Sequence, residues 1–145
     1  MSNELNDILS LTTNGIYKGI AIGGDCYSGT TFIDHMLCYE ADPNCKILVL
    51  LGNVGGVEEY RVIEAVKLGR IKKPIVTWAI GTCAKMFTTD FQFGHAGSMA
   101  NSDLETADAK NKAMRAAGFV VPETFEDLPA ALKKVYKVCF FIPIH

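Results

Sequence analysis

One histidine in a run of small residues is the part of this sequence that most directly suggests chemistry. His95 follows Gly94 and precedes Ala96 and Gly97. These small neighbours leave both faces of the imidazole open and let backbone N–H groups approach an anion. A histidine that relays a phosphoryl group must be reached by the donor and later by the acceptor, so an exposed loop suits it. On composition alone, a loop histidine with no chemical task is the alternative.

The other two histidines are not flanked by residues that suggest a catalytic role. His35 lies between Asp34 and Met36 in a predicted amphipathic helix, and His145 is the last residue. Neither is predicted to be catalytic.

Two further glycine-rich segments carry carboxylate or amide side chains. The segment 23–25 follows a short apolar run, and Asp25 there can cap a turn, orient a histidine or bind a cation; turn formation is the commonest of these roles. The segment 52–56, GNVGG, precedes Glu58 and Glu59. Adjacent glycines suit close approach of the backbone to a ligand. The two carboxylates are explained equally well by the dipole of the helix that they begin.

Alternating strands and helices must position these segments. Short apolar runs predict strands at 20–22, 47–51, 74–80 and 119–121, and helical periodicity predicts helices beginning near residues 2, 32, 58, 102 and 124. Strands joined by helices predict a parallel sheet with helices on both faces, a doubly wound, flavodoxin-like α/β domain. Ligands in such folds bind beyond the carboxyl ends of the strands, where the loops 23–29, 52–56 and 81–82 fall. These loops alone indicate only an anion site near helix N-termini.

Local signals mark several helix ends. Ser2 and Thr124 are predicted to cap the first and last helices. Ser102 and Glu105 have the spacing of a capping box, which predicts that the fourth helix begins there and ends before Gly118.

Composition limits the classes of function. The sequence has 145 residues, 49% of them hydrophobic, and a net charge of -2, which predicts one domain without affinity for nucleic acid or an anionic membrane. No apolar run is long enough to span a bilayer, and the first residues do not form a secretory signal. Five cysteines without a C-x-x-C pair indicate reduced thiols and, with them, the cytoplasm.

Taken together, the glycine-rich segments resemble the alpha subunit of succinyl-CoA synthetase and its relatives. The matching order is Gly23-Gly24-Asp25, Ser28-Gly29, Gly52-x-x-Gly55-Gly56-x-Glu58-Glu59 and Gly94-His95-Ala96-Gly97. Within this family, the stretches 1–6, 73–78 with 80–84, and 92–97 look specifically like ATP-citrate lyase. The resemblance covers a predicted domain at 1–138, followed by a predicted tail at 139–145.

The resemblance implies an activity and partners. ATP-citrate lyase, a transferase of acetyl-CoA and lipid synthesis, makes acetyl-CoA and oxaloacetate from citrate, CoA and ATP by way of phosphohistidine, citryl phosphate and citryl-CoA. It works with Mg²⁺ in the cytoplasm as a homotetramer whose ATP-grasp and citrate-synthase-like modules would lie outside residues 1–145. The glycines of the family's phosphate loop would precede Met1, so we expect this chain to be part of a larger protein and inactive alone.

The resemblance also implies roles for individual residues. His95 would be the phosphohistidine. The phosphate-binding residues would be Ser2, Asn3, Gly94, Ala96 and Gly97, and the histidine-orienting residues would be Asp25, Asn53, Gly55, Gly56 and Glu58. The CoA-contacting stretch would comprise Met114, Arg115, Ala116, Ala117, Gly118, Phe119, Val120, Val121, Pro122, Glu123 and Thr124.

One position departs from the family pattern. Asn53 stands where the family has a glutamate that orients the histidine or helps to hold magnesium. An amide accepts a hydrogen bond but carries no charge, so it binds Mg²⁺ poorly and does not stabilise an imidazolium. Either the protein has a weaker activity than other members of the family, or Asp25 or Glu58 supplies the missing charge. Two alternatives therefore stay open: a succinyl-CoA synthetase alpha-type ligase, and a non-catalytic flavodoxin-like module of the same family.

Overall fold

The structure is a computed structural model that describes residues 2–23, 27, 29–83 and 102–141. Its elements follow one another as helices and strands of an α/β domain. Helices α1 to α5 span Ser2–Thr12, Phe32–Ala41, Glu58–Lys67, Ala107–Ala116 and Leu128–Phe141, strands β1 and β2 span Leu48–Asn53 and Ile75–Ile80, and short 3-10 turns span Asp103–Glu105 and Phe125–Asp127.

The two strands form a parallel pair. Their register runs from Leu48 opposite Ile75 to Asn53 opposite Ile80. On the other edge of β2, Val120 adds a single parallel bridge at Val76. The carboxyl ends of β1 and β2 therefore lie side by side, as the sequence predicted, and the loops at 53–57 and 81–83 begin at the same edge of the sheet.

Helices cover both faces of this sheet. On one face, α2, α3 and α4 contribute Met36, Val62 and Met114 to a core cluster with Leu48 and Ile75. On the other face, Val76 packs with Leu128 and Leu132 of α5, and with Leu5, Ile8 and Leu9 of α1. The alternation of strand side chains divides the apolar residues between two helical layers. The doubly wound α/β architecture is thus confirmed.

Two predicted strands are wrong or shortened. The run 20–22 forms no strand, and Ile20 is 54% exposed. A strand needs a hydrogen-bonded neighbour, and a run of three apolar residues cannot impose one. The predicted strand 119–121 is reduced to one bridge, in which Thr77 N–H donates to Val120 O at 3.0 Å and Val120 N–H to Ile75 O at 2.9 Å.

Three helix boundaries also differ from the sequence prediction. The turn after Ser102 is a 3-10 turn, and α4 begins only after Thr106, whose hydroxyl accepts a hydrogen bond from Ala109 N–H. Ser2 lies within α1 rather than in front of it. At the other end, α5 continues to Phe141, so the predicted tail at 139–145 begins inside a helix. Among the described helices, none combines the length and the apolarity that crossing a membrane requires.

Candidate functional site

The loop that follows β1 is held by backbone hydrogen bonds to two neighbouring segments. Val54 N–H donates to Ile80 O of β2 at 2.8 Å, and Gly55 N–H donates to Glu105 O of the 3-10 turn before α4 at 2.9 Å. Gly55 and Gly56 have φ of +91° and +64°, which L side chains rarely adopt. Two consecutive glycines let the chain reverse sharply here, directly in front of α3.

A buried ion pair between α3 and α4 also holds this loop. Lys110 Nζ of α4 lies 2.8 Å from Glu59 Oε2 of α3, and both side chains are almost completely buried. The same ammonium donates to Asn53 O at 2.9 Å and to Gly55 O at 2.6 Å. Its three N–H donors therefore have three acceptors, so the charge is both neutralised and fully hydrogen-bonded.

Burial and the ammonium act on Glu59 in opposite directions. Loss of hydration raises the pKa of the Glu59 carboxyl above its usual value, and the neighbouring Lys110 ammonium opposes that rise. At 2.8 Å, with both side chains almost inaccessible to solvent, the ammonium is a strong charge-assisted partner for the carboxylate. A salt-bridged pair is therefore the state consistent with this geometry.

Two glycines leave room for this arrangement. A Cβ atom on Gly52 would overlap Oε1 of Glu59 and lie 3.2 Å from its Cδ. A Cβ atom on Gly81 would lie 2.8 Å from Cβ of Val54, and Gly81 also has φ of +110°. Both strand ends are therefore limited to glycine by close packing.

Asn111 completes the edge of β2 beyond the Val120 bridge. Its side-chain oxygen accepts from Ala79 N–H at 2.8 Å, and its amide donates to Ala79 O at 3.0 Å. The side chain thus occupies the place of the next residue of a third strand. The pairing does not continue beyond Val120, because Ala79 is already satisfied by this side chain and Pro122 has no N–H to donate.

The predicted histidine-orienting residues of the loop are brought together at this edge. Asn53 is half-buried, and its side-chain oxygen accepts from Val54 N–H at 2.9 Å. Glu58 begins α3, and its Oε1 accepts from Arg61 Nη1 at 3.2 Å. Its Oε2 is inaccessible to solvent and has no hydrogen-bond partner among the described residues. This oxygen of Glu58 therefore has unused capacity to accept a hydrogen bond.

A cavity of about 660 Å³ opens beside the carboxyl end of β2. Gly81 and Thr82 line it, as do Arg115, Glu123 and Thr124 of the predicted CoA-contacting stretch. Arg115 Nη2 also donates to Pro122 O at 2.9 Å, which ties the end of α4 to the residues that follow it. Three exposed residues of the predicted stretch therefore line the cavity, whereas Ala116 and Gly118, which are also exposed, do not.

The rest of the stretch from 114 to 124 has a different environment. Met114 is completely buried and Phe119 is 6% exposed, and both belong to the core on the α4 face of the sheet. Val120 carries the bridge to β2. These side chains support the cavity wall rather than line it.

The predicted phosphate-binding residues fall into two groups. Ser2 and Asn3 are exposed in the first turn of α1, and Glu4, in the same turn, lines the cavity. The amino end of α1 therefore faces the same opening as the end of β2. The others lie outside the described residues, together with one predicted histidine-orienting residue: Gly94, His95, Ala96, Gly97 and Asp25.

The described residues around Asn53 do not by themselves form a magnesium site. No three histidine, cysteine, aspartate or glutamate side chains of the described chain are close enough to hold a metal ion. The Asn53 carbonyl already accepts from an ammonium group, which repels a second cation at that oxygen. The magnesium role of Asn53 remains a prediction from the resemblance.

Three structural residues of this site were missed in the sequence. Lys110 and Asn111 stand on α4 between Ala107 and Met114, at positions that helical spacing assigns to the buried face. A lysine at a core position would have been the signal, because buried lysines require a partner. Glu59 was interpreted as a helix-dipole residue, and only its burial distinguishes it from Glu58.

Comparisons with known proteins agree on one family. A family model described as CoA-ligase matches residues 1–120. The probable ATP-citrate synthase subunit 1 of Neurospora crassa is 74% identical over 136 residues, which are 94% of this chain and 20% of that protein. The ATP-citrate synthase of Homo sapiens is 54% identical over 137 residues, 94% of this chain and 12% of that protein.

Solved structures give the same result. The ATP citrate lyase from Methanothrix soehngenii, in complex with citrate and coenzyme A, superposes with a TM-score of 0.94 at 43% identity. The match covers 100% of this chain and 24% of that one. A mutant of the Methanosaeta concilii ATP citrate lyase in complex with (3S)-citryl-CoA matches equally well. The chain thus spans about a fifth of the length of the fungal relatives that it matches.

Proposed function

This chain belongs to the CoA-ligase family, and on that premise we propose that it is the phosphohistidine module of an ATP-citrate lyase. The complete enzyme would make acetyl-CoA and oxaloacetate from citrate, CoA and ATP. The observation that carries the proposal is the 74% identity to an ATP-citrate synthase subunit over 94% of this chain.

The module would act as a covalent relay. A nitrogen of His95 attacks the γ-phosphorus of ATP, a P–N bond forms, the bond to the bridging oxygen breaks and ADP leaves. Citrate then takes the phosphoryl group as citryl phosphate, and CoA displaces phosphate to give citryl-CoA. Storing the phosphoryl group on a side chain lets the nucleotide and the acid react at different times.

The geometry at the carboxyl edge of the sheet supports this role. The amino ends of α1 and α3 both lie at this edge, where unpaired backbone N–H groups and the helix dipole favour a phosphoryl group. The Gly55–Gly56 turn lies one residue before α3, and hydrogen bonds from Gly55 N–H to Glu105 O and from Lys110 to Gly55 O hold it in place. A rigid donor site costs little reorganisation during transfer.

CoA would bind along the cavity beside α4. Arg115 offers a guanidinium, which suits the phosphates of CoA, and Thr124 offers a hydroxyl. The buried members of the predicted stretch would contribute by shaping this wall. The ATP-grasp and citrate-synthase-like modules, the homotetramer, the need for Mg²⁺ and the cytoplasmic location are expected of the complete enzyme.

The proposal is tested by labelling the complete enzyme with ATP that carries a radioactive γ-phosphate. We expect an acid-labile, base-stable phosphoprotein whose label maps to the peptide containing His95, and citrate should discharge it. The isolated 145-residue chain should neither take the label from ATP nor hydrolyse ATP in response to citrate and CoA. A complete enzyme without label would favour the non-catalytic module, and discharge by succinate instead of citrate would favour the succinyl-CoA synthetase type.

Asn53→Glu should raise the rate at which His95 is phosphorylated. The substitution restores the negative charge of the family pattern, and an orienting carboxylate of this kind is worth up to ~10⁴-fold in other relays. We expect an increase of about tenfold, because Glu58 already offers an acceptor oxygen nearby. Rapid-quench measurement of phosphoenzyme formation decides this.

The matched control is Asn53→Gln, which lengthens the side chain without adding charge. An equal rise in both variants would assign the effect to side-chain length rather than to charge. An unchanged rate in Asn53→Glu would mean that Glu58 or Asp25 already supplies the carboxylate.

A further inference from the structure

The side chain of Asn111 belongs both to the buried part of the domain and to the wall of the cavity. It is only 5% exposed, and it nevertheless lines the opening beside β2. Its oxygen accepts from Ala79 N–H at 2.8 Å, and its nitrogen donates to Ala79 O at 3.0 Å. Because Ala79 offers one donor and one acceptor, these two contacts determine which side-chain atom is the oxygen and which is the nitrogen.

One N–H of this amide is not used by Ala79. A carboxamide has two N–H donors, and Ala79 O takes the one that lies on the same side as the side-chain oxygen. The Asn111 nitrogen forms no second hydrogen bond with the residues that the structure describes. Because the amide is nearly withdrawn from solvent, an acceptor placed here by a ligand would form a stronger hydrogen bond than at an exposed position.

The unused N–H is directed along β2 towards the carboxyl end of the strand. In a strand the C=O of a residue lies nearer the carboxyl end than its N–H does, so the Asn111 nitrogen, which faces Ala79 O, lies on that side of the Asn111 oxygen. The carboxamide is planar, and its second N–H continues in the same direction. The next residues of the chain, Ile80 and Gly81, line the cavity. The unused donor therefore faces the cavity.

The surroundings of this donor favour an uncharged acceptor. Asp108 lies one turn before Asn111 on α4 and lines the same cavity, where its carboxylate repels an anionic group. Leu51 and Trp78 add apolar surface to the wall. The guanidinium of Arg115, proposed above for the phosphates of CoA, lies about one turn after Asn111. A carbonyl oxygen on a largely apolar chain fits the space between these two charges.

We propose that Asn111 is a binding residue of the cavity and that its second N–H donates to an amide carbonyl of the pantetheine arm of CoA. This arm is uncharged and largely apolar, and it carries amide carbonyls, so it matches a wall with a few placed polar groups among apolar ones. Asn111 lies outside the stretch 114–124 that the resemblance assigned to CoA. The inference rests on the proposed function, because it takes CoA as the ligand of the cavity.

Asn111→Asp in the complete enzyme separates the contact with the ligand from the contact that holds β2. A protonated carboxyl group can still accept from Ala79 N–H and donate to Ala79 O, but it has no second donor. At about pH 6 we expect burial and the Ala79 carbonyl to keep this group protonated, so the thermal midpoint should stay close to that of wild type. The dissociation constant for CoA, measured by calorimetry, should rise about five- to tenfold, the effect of losing one hydrogen bond between neutral groups.

Two comparisons identify the cause of a weaker affinity. Thr77→Val removes a buried hydrogen bond to Leu50 O in the same strand, outside the cavity, and should lower the thermal midpoint without changing the affinity for CoA. The nucleotide half of CoA, without its pantetheine arm, should bind Asn111→Asp as tightly as wild type. Unchanged affinity for CoA in Asn111→Asp, or an equal loss for both ligands, would overturn the inference and leave the proposed function intact. A wild-type enzyme that does not bind CoA would contradict both.

A second measurement uses the wild-type enzyme and does not depend on whether the variants fold. CoA analogues in which one amide carbonyl of the arm is replaced by a methylene group remove the acceptor from the ligand instead. We expect one such analogue to bind wild type about five- to tenfold more weakly than CoA does. In Asn111→Asp the same analogue should bind as tightly as CoA, because the contact is already lost. If every analogue bound wild type as tightly as CoA, the inference would be wrong even with an unfolded Asn111→Asp.

Discussion

We expect replacement of His95 by alanine to remove phosphoenzyme formation from the complete enzyme, and replacement of His35 by alanine to leave it unchanged. Loss of a covalent nucleophile cannot be compensated by the binding groups around it, and such losses reach ~10⁶-fold in other enzymes. We expect label incorporation from ATP to fall by about 10³-fold or more. Production of acetyl-CoA from citrate should fall in parallel, since the phosphoryl group has no other route to the acid.

His35 is a suitable control because its contacts are local. Its Nε2 lies 2.9 Å from Thr30 Oγ1 just before α2, and its ring lies near that of Tyr39. Neither contact involves the carboxyl edge of the sheet. An acid-labile label that persists in His95→Ala would disprove the assignment, and a label lost in His35→Ala alone would transfer it to α2.

Asn111→Ala should destabilise the fold more than any exposed substitution on α4. The change removes two hydrogen bonds at Ala79, which is completely buried, and leaves one N–H and one C=O without partners. Each buried unsatisfied group costs about 1–3 kcal/mol, so we expect a loss of about 2–5 kcal/mol. That is a large part of the total stability of a domain of this size. Urea denaturation of the 145-residue chain measures it.

The neighbouring Lys112→Ala provides the reference. Lys112 is exposed on the same turn of α4, so its truncation should change the free energy of unfolding by less than about 0.5 kcal/mol. If Asn111→Ala were equally mild, water would have to replace the amide at Ala79. In that case the edge of β2 at Ala79 would not depend on the Asn111 side chain.

Much of the architecture could be predicted because its signals are local. The apolar run at 47–51 and the period of Val62, Ile63 and Val66 each determine which faces must be buried, whatever their partners are. Gly118 ends α4 in a positive-φ conformation, as its position predicted. The predicted strand at 20–22 is wrong because a strand forms only beside a hydrogen-bonded neighbour, and these three residues do not indicate such a neighbour.

Only part of the candidate site could be predicted from the sequence. The sequence by itself determined the family pattern: the GNVGG loop, the histidine flanked by small residues, and the departure at Asn53. It also determined that the loops 52–56 and 81–82 lie at strand ends, which places them at one edge of a parallel sheet. These conclusions depend only on the types of the residues and on their order along the chain, and the sequence contains both.

Only the tertiary structure decided how the loop is held. Lys110 is 51 positions from Glu59 in the numbering, and nothing local to either residue distinguishes it from a solvated charge. Their meeting depends on how α3 packs against α4, which sets the 2.8 Å contact and buries both side chains. The same packing brings Asn111 to the edge of β2. Because both side chains are buried, this lysine and glutamate hold the loop in place. The strength of an interaction between two charges depends on their surroundings, which the residue types alone do not indicate.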